Sequence, residues 1–267
     1  MFDVEKYLHR LGYAGPVEPT EAVLRELHKR HLMAIPYDTG SDLSTRPLPD
    51  NLARIDLDQC FEEVVVGGQG AYCFPLNGLF RALLAELGFE VSRISASIST
   101  GTTFSPDRLH LFTGVRLDGE NFLADVGYSG PSFLEPLRLV EDVQKQYGCS
   151  FRLAAGTHRV LRRKARNGTW RDIYRFAFQD RDVQHWDGFS SLLSDSFSET
   201  VFRGTNICCR ATENGHRMLA GKRYLEVVDG VETVRALTRP AEYQTVLESV
   251  LGGRPAGPRK NPRDQPR

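Results

Sequence analysis

Apolar side chains in the first ninety residues recur at the spacing of α-helices. One predicted helical face carries, at i, i+3, i+4 and i+7, the residues Val4, Tyr7, Leu8 and Leu11. Thr20 is a suitable N-cap for a second helix. A third helix is predicted over 76–87, where Gly88 supplies the left-handed residue that favours a helix end. The first third of the chain is therefore predicted to be helical.

Beyond position 90 the hydrophobic pattern changes to a period of two, which is typical of half-buried strands. The segment 94–98 alternates isoleucine or alanine with serine. Two β-prone runs, 109–117 and 120–126, are joined by Asp118-Gly119, which strongly indicates a hairpin. Further strand-like segments occupy 150–153, 158–161 and 172–178. Together these segments predict a small antiparallel barrel or meander.

The last third of the chain mixes both patterns. One strand pair is predicted at Met218-Leu219 and 224–228, followed by a helix over 241–251. Residues 252–267 contain four prolines, three glycines and five Lys or Arg against one Asp, a net charge of +4. This composition predicts a disordered basic tail. The order of the elements indicates an α+β fold.

Charge and composition exclude several classes of protein. Lys plus Arg number 34 and Asp plus Glu number 34, so the chain lacks the excess of cations that a nucleic-acid binder needs. No stretch approaches the roughly 20 apolar residues of a membrane span, and the N-terminus does not resemble a secretory signal. Five cysteines in such a chain are expected to be free thiols, which predicts a cytoplasmic location. The adjacent Cys208 and Cys209 lack zinc-ligand spacing, so no metal site is predicted.

A glycine cluster at 67–70 follows an apolar run and precedes a predicted helix, as in a dinucleotide-binding unit. The third glycine position of that motif is occupied by Cys73, and Pro75 lies where the crossover helix should already be running. The following strand also lacks the acidic residue that would bind a ribose. We therefore reject a dinucleotide site.

Three residues form the candidate catalytic site: Cys73, His110 and Asp125. If Asp118-Gly119 is a two-residue turn, residue i pairs with residue 237 − i, and His110 lies diagonally opposite Asp125 on the same face of the hairpin. A carboxylate there would hold one tautomer of the imidazole.

Cys73 lies at or just before the start of the third helix, where unpaired N–H groups and the helix dipole favour a thiolate. A cysteine, a base and an orienting acid suit acyl transfer through a covalent thioester. The simpler interpretation, that a cysteine is only a small buried hydrophobic residue, is assigned to the other four: Cys60, Cys149, Cys208 and Cys209.

The motifs around these residues resemble those of the arylamine N-acetyltransferases, over about 2–251. The matching segments are Tyr7-Leu8-His9-Arg10-Leu11-Gly12-Tyr13, His31-Leu32-Met33-Ala34-Ile35-Pro36-Tyr37, Tyr72-Cys73-Phe74 with Asn77-Gly78-Leu79-Phe80, Leu109-His110-Leu111, and Leu123-Ala124-Asp125-Val126-Gly127-Tyr128. Order, spacing and flanking residues agree together.

This resemblance implies an α+β fold with a cysteine-protease-like core: a helical bundle (1–88) carrying the nucleophile, a β-barrel (89–189) carrying His110 and Asp125, and an α/β lid (190–253) before the tail (254–267). It also implies a ping-pong reaction without a bound cofactor. Cys73 would take an acyl group from a thioester of coenzyme A or of a carrier protein, and a small amine would accept it. The expected substrate contacts are Tyr37, Tyr72, Phe74, Gly127 and Tyr128.

The chain also departs from the family pattern around the site. Tyr37-Asp38-Thr39-Gly40 replaces the usual Phe-Glu-Asn-Leu, Pro75 replaces a glutamate, and the coenzyme-cleft motif is represented only loosely by His185-Trp186 and 190–197. These departures indicate retained chemistry in a rebuilt pocket. Besides an acetyltransferase, they are compatible with the related amide synthases of bacterial polyketide pathways. A cysteine hydrolase and a non-catalytic binding module are the alternatives from other classes.

Overall fold

The computed structural model describes residues 1–41, 49–189 and 206–252. Thr20 caps the second helix by accepting the N–H of Val23, as predicted. The helical elements are α1 (Val4–Arg10), α2 (Glu21–Ala34), α3 (Leu57–Cys60), a π-helix (Phe61–Val66), α4 (Cys73–Glu86), a 3₁₀ turn (Val183–Trp186) and α5 (Pro240–Leu251). A two-residue strand, β1 (Tyr37–Asp38), follows α2.

The helix α4 begins three residues earlier than the hydrophobic spacing predicts. Its first residue is Cys73 and its N-cap is Tyr72. Pro75 lies in the first turn, where a missing N–H breaks no intrahelical hydrogen bond. Gly88 follows the helix with φ +84°, as predicted. The run that ends at Val66 belongs to a π-helix rather than to the strand that a dinucleotide-binding unit has at this point.

The central part of the chain forms an antiparallel sheet that nearly closes into a barrel. Its strand order is β5-β4-β3-β2-β9-β8-β7-β6. Side chains connect the two end strands, since Gln144 bonds both the N–H and the carbonyl of Arg138 at 2.9 Å. The strands are β2 (Glu90–Ile98), β3 (His110–Leu117), β4 (Glu120–Ala124), β5 (Leu137–Arg138), β6 (Gln144–Gln146), β7 (Cys149–Ala154), β8 (Arg159–Lys164) and β9 (Trp170–Phe176).

The predicted hairpin register is confirmed between β3 and β4. Leu117 pairs with Glu120 and Thr113 with Ala124, so paired residue numbers sum to 237. Asp118 and Gly119 have φ values of 51° and 81°, the positive angles that a two-residue type I′ turn requires.

The C-terminal region contains more sheet than predicted. Instead of one strand pair, it forms a meander whose first strand also pairs with β1, so Tyr37 lies opposite Cys209. The edge strand escaped prediction because its side chains are mostly exposed and lack apolar alternation. The four strands are β10 (Ile207–Thr212), β11 (Gly215–Ala220), β12 (Arg223–Val228) and β13 (Val231–Ala236). Residues 190–205 of the predicted lid and the predicted tail 254–267 lie outside the described residues.

Three buried apolar clusters organise the described residues. One joins the helices to the outer face of β3, a second fills the barrel, and a third lies between α5 and the C-terminal sheet. The helix α4 therefore packs directly on the strand that carries His110.

Across 1–41, 49–189 and 206–252, the helices are all too short or too polar to span a bilayer.

Candidate active site

The fold brings the three predicted catalytic residues together from different elements. Cys73 is the first residue of α4, His110 is the first residue of β3, and Asp125 comes directly after β4. All three are buried. His110 Nε2 and Asp125 Oδ2 are 2.7 Å apart, and the Cys73 side chain lies close enough to the imidazole to help raise its pKa. The hairpin geometry predicted from the turn is thus observed between the two side chains.

The carboxylate of Asp125 accepts hydrogen bonds at both oxygens. Oδ2 accepts from His110, while Oδ1 accepts from Asn77 Nδ2 and from the N–H of Gly127, both at 3.0 Å. Burial alone would raise the pKa of Asp125, but His110, Asn77 and Gly127 together hold it below its ordinary value. The group is therefore an anion at neutral pH.

His110 carries a proton at neutral pH. Burial lowers the pKa of an imidazole, but the charge and hydrogen bond of Asp125, followed by the interaction with Cys73, raise the pKa of His110 to about 10. Since Nε2 is bound to Asp125, Nδ1 is the nitrogen that remains for the Cys73 sulfur.

Cys73 differs from the other cysteines in its surroundings. Tyr72 provides no side-chain cap, so the first N–H groups of α4 are left free to favour negative charge near the Cys73 sulfur. By contrast, burial raises the pKa of Cys209 to about 12, which keeps it a neutral thiol. The other described thiols, Cys60, Cys149 and Cys208, are also buried, and none of them forms a disulfide.

Two of the predicted substrate contacts lie beside the triad. The ring of Tyr128 meets that of His110 edge-on, with centroids 6.1 Å apart. Tyr37 is buried, which raises the pKa of its phenol well above the ordinary value, and the neighbouring Cys73 adds to this shift. A small enclosed cavity adjoins this point; its lining includes Tyr37, Asp125, Tyr128, Ser132, Cys209 and His216. The rings of Tyr37 and Tyr128 thus lie on the side of the triad where the Asp125 carboxylate is found.

The other three predicted contacts support the start of α4. Phe74 is 1% exposed and packs its ring edge against Trp186. Tyr72 is buried beside it, with the two ring centroids 6.3 Å apart. A Cβ at Gly127 would lie 2.8 Å from Cys73 Cα, so glycine permits the closest approach of the two backbones.

Sequence reasoning missed two residues that hold the site. Asn77, one turn after Cys73 on α4, bonds Asp125, and its i+4 spacing from the cysteine could have indicated this role. His28 on α2 accepts the N–H of Asp125 at Nε2 (3.0 Å), a contact for which the sequence carries no signal.

Within 1–41, 49–189 and 206–252, no group of three or more His, Cys, Asp or Glu side chains could hold a metal ion.

Three buried histidines are expected to make stability fall steeply with acid. Burial lowers the pKa of His28 to about 4 and those of His31 and His216 to about 3. Because these values lie below the unfolded value of about 6.5, the unfolded chain takes up protons first, and stability present above pH 6.5 is lost as pH falls through 6.5 towards 3. We expect a loss of about 6 kcal/mol between pH 7 and pH 5, measured by urea unfolding. His31→Gln should flatten the slope by about a third, whereas the exposed His158→Gln should not change it. Equal slopes in both variants would contradict this expectation.

Comparison with known proteins agrees with the geometry. A family model described as N-acetyltransferase matches residues 21–252. Proansamycin X synthase of Amycolatopsis mediterranei is 40% identical over 261 residues, which cover 95% of this chain and 98% of that protein. The arylamine N-acetyltransferase of Escherichia coli is 28% identical over 214 residues, covering 79% of this chain and 74% of that protein.

Solved structures show the same architecture. The arylamine N-acetyltransferase of Mycobacterium tuberculosis matches with a TM-score of 0.80 and 27% identity, over 94% of this chain and 93% of that one. The enzyme of Mycobacterium marinum in complex with CoA matches with a TM-score of 0.79 and 26% identity, over 94% and 92%. The protein is thus an acyltransferase with an α+β fold. It belongs to the arylamine N-acetyltransferase family.

Proposed function

We propose that this protein is a thioester-dependent N-acyltransferase that forms an amide by a ping-pong reaction through Cys73. The observation that carries the proposal is the buried 2.7 Å hydrogen bond between His110 and Asp125, next to the first residue of α4. A fixed, charged imidazole beside a cysteine is the arrangement that activates a thiolate nucleophile. The domain boundaries predicted above, at 88 and 189, place this nucleophile and its partners in adjacent domains.

In the first half-reaction the Cys73 thiolate attacks the carbonyl carbon of the donor thioester. A new sulfur–carbon bond forms as the donor's own sulfur–carbon bond breaks, and the departing thiolate takes the proton of the His110 imidazolium. Cys73 is left acylated and His110 neutral. Asp125 keeps the ring in position while its charge changes.

In the second half-reaction the nitrogen of a small amine attacks the same carbonyl carbon. Neutral His110 takes the proton that the amine loses, and the Cys73 thiolate departs as the amide forms. The thiolate and imidazolium pair is restored. Tyr37 and Tyr128, which lie beside the triad, line the approach of the substrates.

A second candidate is an amide synthase whose acyl donor is a chain carried on a protein. The 40% identity with proansamycin X synthase, over nearly the whole of both chains, favours it over the 28% identity with an arylamine N-acetyltransferase. The departures at Tyr37 and Pro75 also agree with an altered donor or acceptor. A cysteine hydrolase differs only in letting water take the place of the amine.

Mass spectrometry after exposure to a panel of thioesters tests the proposal. Acetyl-CoA, a longer acyl-CoA and a carrier-bound acyl chain are each mixed with the protein, and the Cys73 peptide is expected to gain the mass of the acyl group. Peptides containing the other four cysteines should stay unmodified. An arylamine should then clear the adduct much faster than water does.

The outcomes separate the candidates. Rapid amide formation from acetyl-CoA and an arylamine would exclude the carrier-dependent synthase, whereas acylation by the carrier-bound chain alone would support it. Clearance by water as fast as by amine would favour the hydrolase. Absence of any adduct on Cys73 would overturn the proposed function.

A further inference from the structure

Asn77 connects the helix of the nucleophile to both other members of the triad. It is fully buried on α4, one turn after Cys73. Its Nδ2 donates to the carbonyl of Leu111 at 2.7 Å and to Asp125 Oδ1 at 3.0 Å, and its Oδ1 accepts the N–H of Val126 at 3.0 Å. Leu111 follows His110 and Val126 follows Asp125. Both ends of the amide are thus used, which determines its orientation.

The backbone of Asp125 is held separately, by a histidine on another helix. His28 accepts the Asp125 N–H at Nε2 and donates Nδ1–H to the carbonyl of Leu134 at 2.8 Å. This pattern requires the neutral imidazole, in agreement with burial lowering the pKa of His28 to about 4. This bond holds the main chain of Asp125 at its N–H and leaves the orientation of the carboxylate to other contacts.

Asn77 makes one of those contacts. When Oδ1 is occupied, rotation of the carboxylate is restricted and Oδ2 stays directed at His110 Nε2. Gly127 also donates to Oδ1, but it does so through its backbone N–H, from two residues along the same segment. Within the described residues, Asn77 is therefore the side chain that connects the Asp125 carboxylate by a hydrogen bond to the helix of Cys73.

We propose that Asn77 is a positioning residue of this site: through its hydrogen bond to Asp125 Oδ1 it sets the orientation of the carboxylate, and hence of His110, relative to Cys73. The role rests on the proposed function of the triad. If Asn77 acts through Asp125, replacing Asn77 should no longer change the reactivity of Cys73 once Asp125 is absent. A residue that only stabilises the fold should have the same effect with or without Asp125.

A double-mutant cycle tests this with iodoacetamide, which needs no knowledge of the substrate. Alkylation of Cys73 at pH 7 is followed by peptide mass spectrometry in the wild type, Asn77→Ala, Asp125→Ala and the double variant. Asn77→Ala alone should slow alkylation by about 10- to 100-fold, the range expected for a lost hydrogen bond to a charged group. In the Asp125→Ala background the same change should alter the rate by less than about twofold.

The protonation of His110 provides a second readout that a purely structural role would leave unchanged. Nuclear magnetic resonance of the histidine rings should show the pKa of His110 falling from about 10 by about one unit in Asn77→Ala. If Asn77→Ala does not fold, Asn77→Ser is measured in its place; its shorter side chain cannot put a donor where Nδ2 lies, and the same changes are expected.

Asn51 provides a matched control. It is also buried, and its Nδ2 donates to a carbonyl and to the carboxylate of Asp187, away from the triad. Asn51→Ala should lower the melting temperature without changing the alkylation rate of Cys73 or the pKa of His110. Independent, multiplicative effects of the Asn77 and Asp125 changes, or an unshifted His110, would overturn the proposal. Failure of Cys73 to form any acyl adduct would instead contradict the proposed function. The double-mutant cycle would still test the role of Asn77, because it is measured by alkylation and needs no acyl donor.

Discussion

Replacing Cys73 with alanine is expected to abolish both the acyl-enzyme and amide formation. The substitution removes the sulfur that carries the acyl group between the half-reactions while leaving α4 intact, because alanine is smaller and a good helix former. The measurement is twofold: intact-protein mass after exposure to a thioester, and amide product by chromatography.

Cys208 is the control for this experiment. It is a buried thiol on β10, away from the described triad, so Cys208→Ala should still acylate at Cys73. Circular dichroism should show both variants folded. Turnover that survives in Cys73→Ala would show that Cys73 is not the nucleophile. The acyl group would then pass directly from the donor to the amine.

Changing Asp125 to asparagine is expected to lower the rate of acyl transfer by about four orders of magnitude, as in other triads where the tautomer is lost. Three donors point at the carboxylate: His110 Nε2, Asn77 Nδ2 and the N–H of Gly127. An amide of the same size has only one acceptor oxygen, so its NH₂ must face at least one of those donors.

The same substitution should lower the pKa of His110. In the wild type the charge of Asp125 outweighs burial and raises that pKa to about 10, so without the charge burial dominates and the ring becomes neutral at pH 7. The rate is measured with a fixed thioester and amine, and the protonation by nuclear magnetic resonance. Asp187→Asn is the control, because Asp187 accepts bonds from Asn51 and Arg54 without touching the triad. Near-normal activity in Asp125→Asn would refute the orienting role.

Much of the site could be predicted from the sequence because its key geometry is local. A two-residue turn at Asp118-Gly119 sets the register of β3 and β4, and the register puts His110 and Asp125 on one face. The position of Cys73 at a helix start follows from the helical spacing after it, within three residues. These relations involve neighbours along the chain, so periodicity and turn residues were sufficient to predict them.

The supporting contacts could not be predicted in this way. His28 reaches the backbone of Asp125 across 97 residues, and Thr39 bonds Ile207 across 168 residues where β1 joins the C-terminal sheet. Neither contact leaves a periodic signal in the sequence, because the partners meet only when separate elements pack. The edge strand β13 was missed for a different reason, because its side chains are mostly exposed and lack apolar alternation.

The amino-acid sequence by itself thus determined the identities of Cys73, His110 and Asp125, the local elements that bear them and the register of one hairpin. Only the tertiary structure decided that α4 packs against β3 so that the three side chains converge, and that Asn77 and His28, from two different helices, hold the carboxylate and the backbone N–H of Asp125 respectively. The physical reason is that hydrogen bonds within a turn or a helix are specified by adjacent residues, whereas the charge and orientation of a buried triad depend on groups brought together by burial.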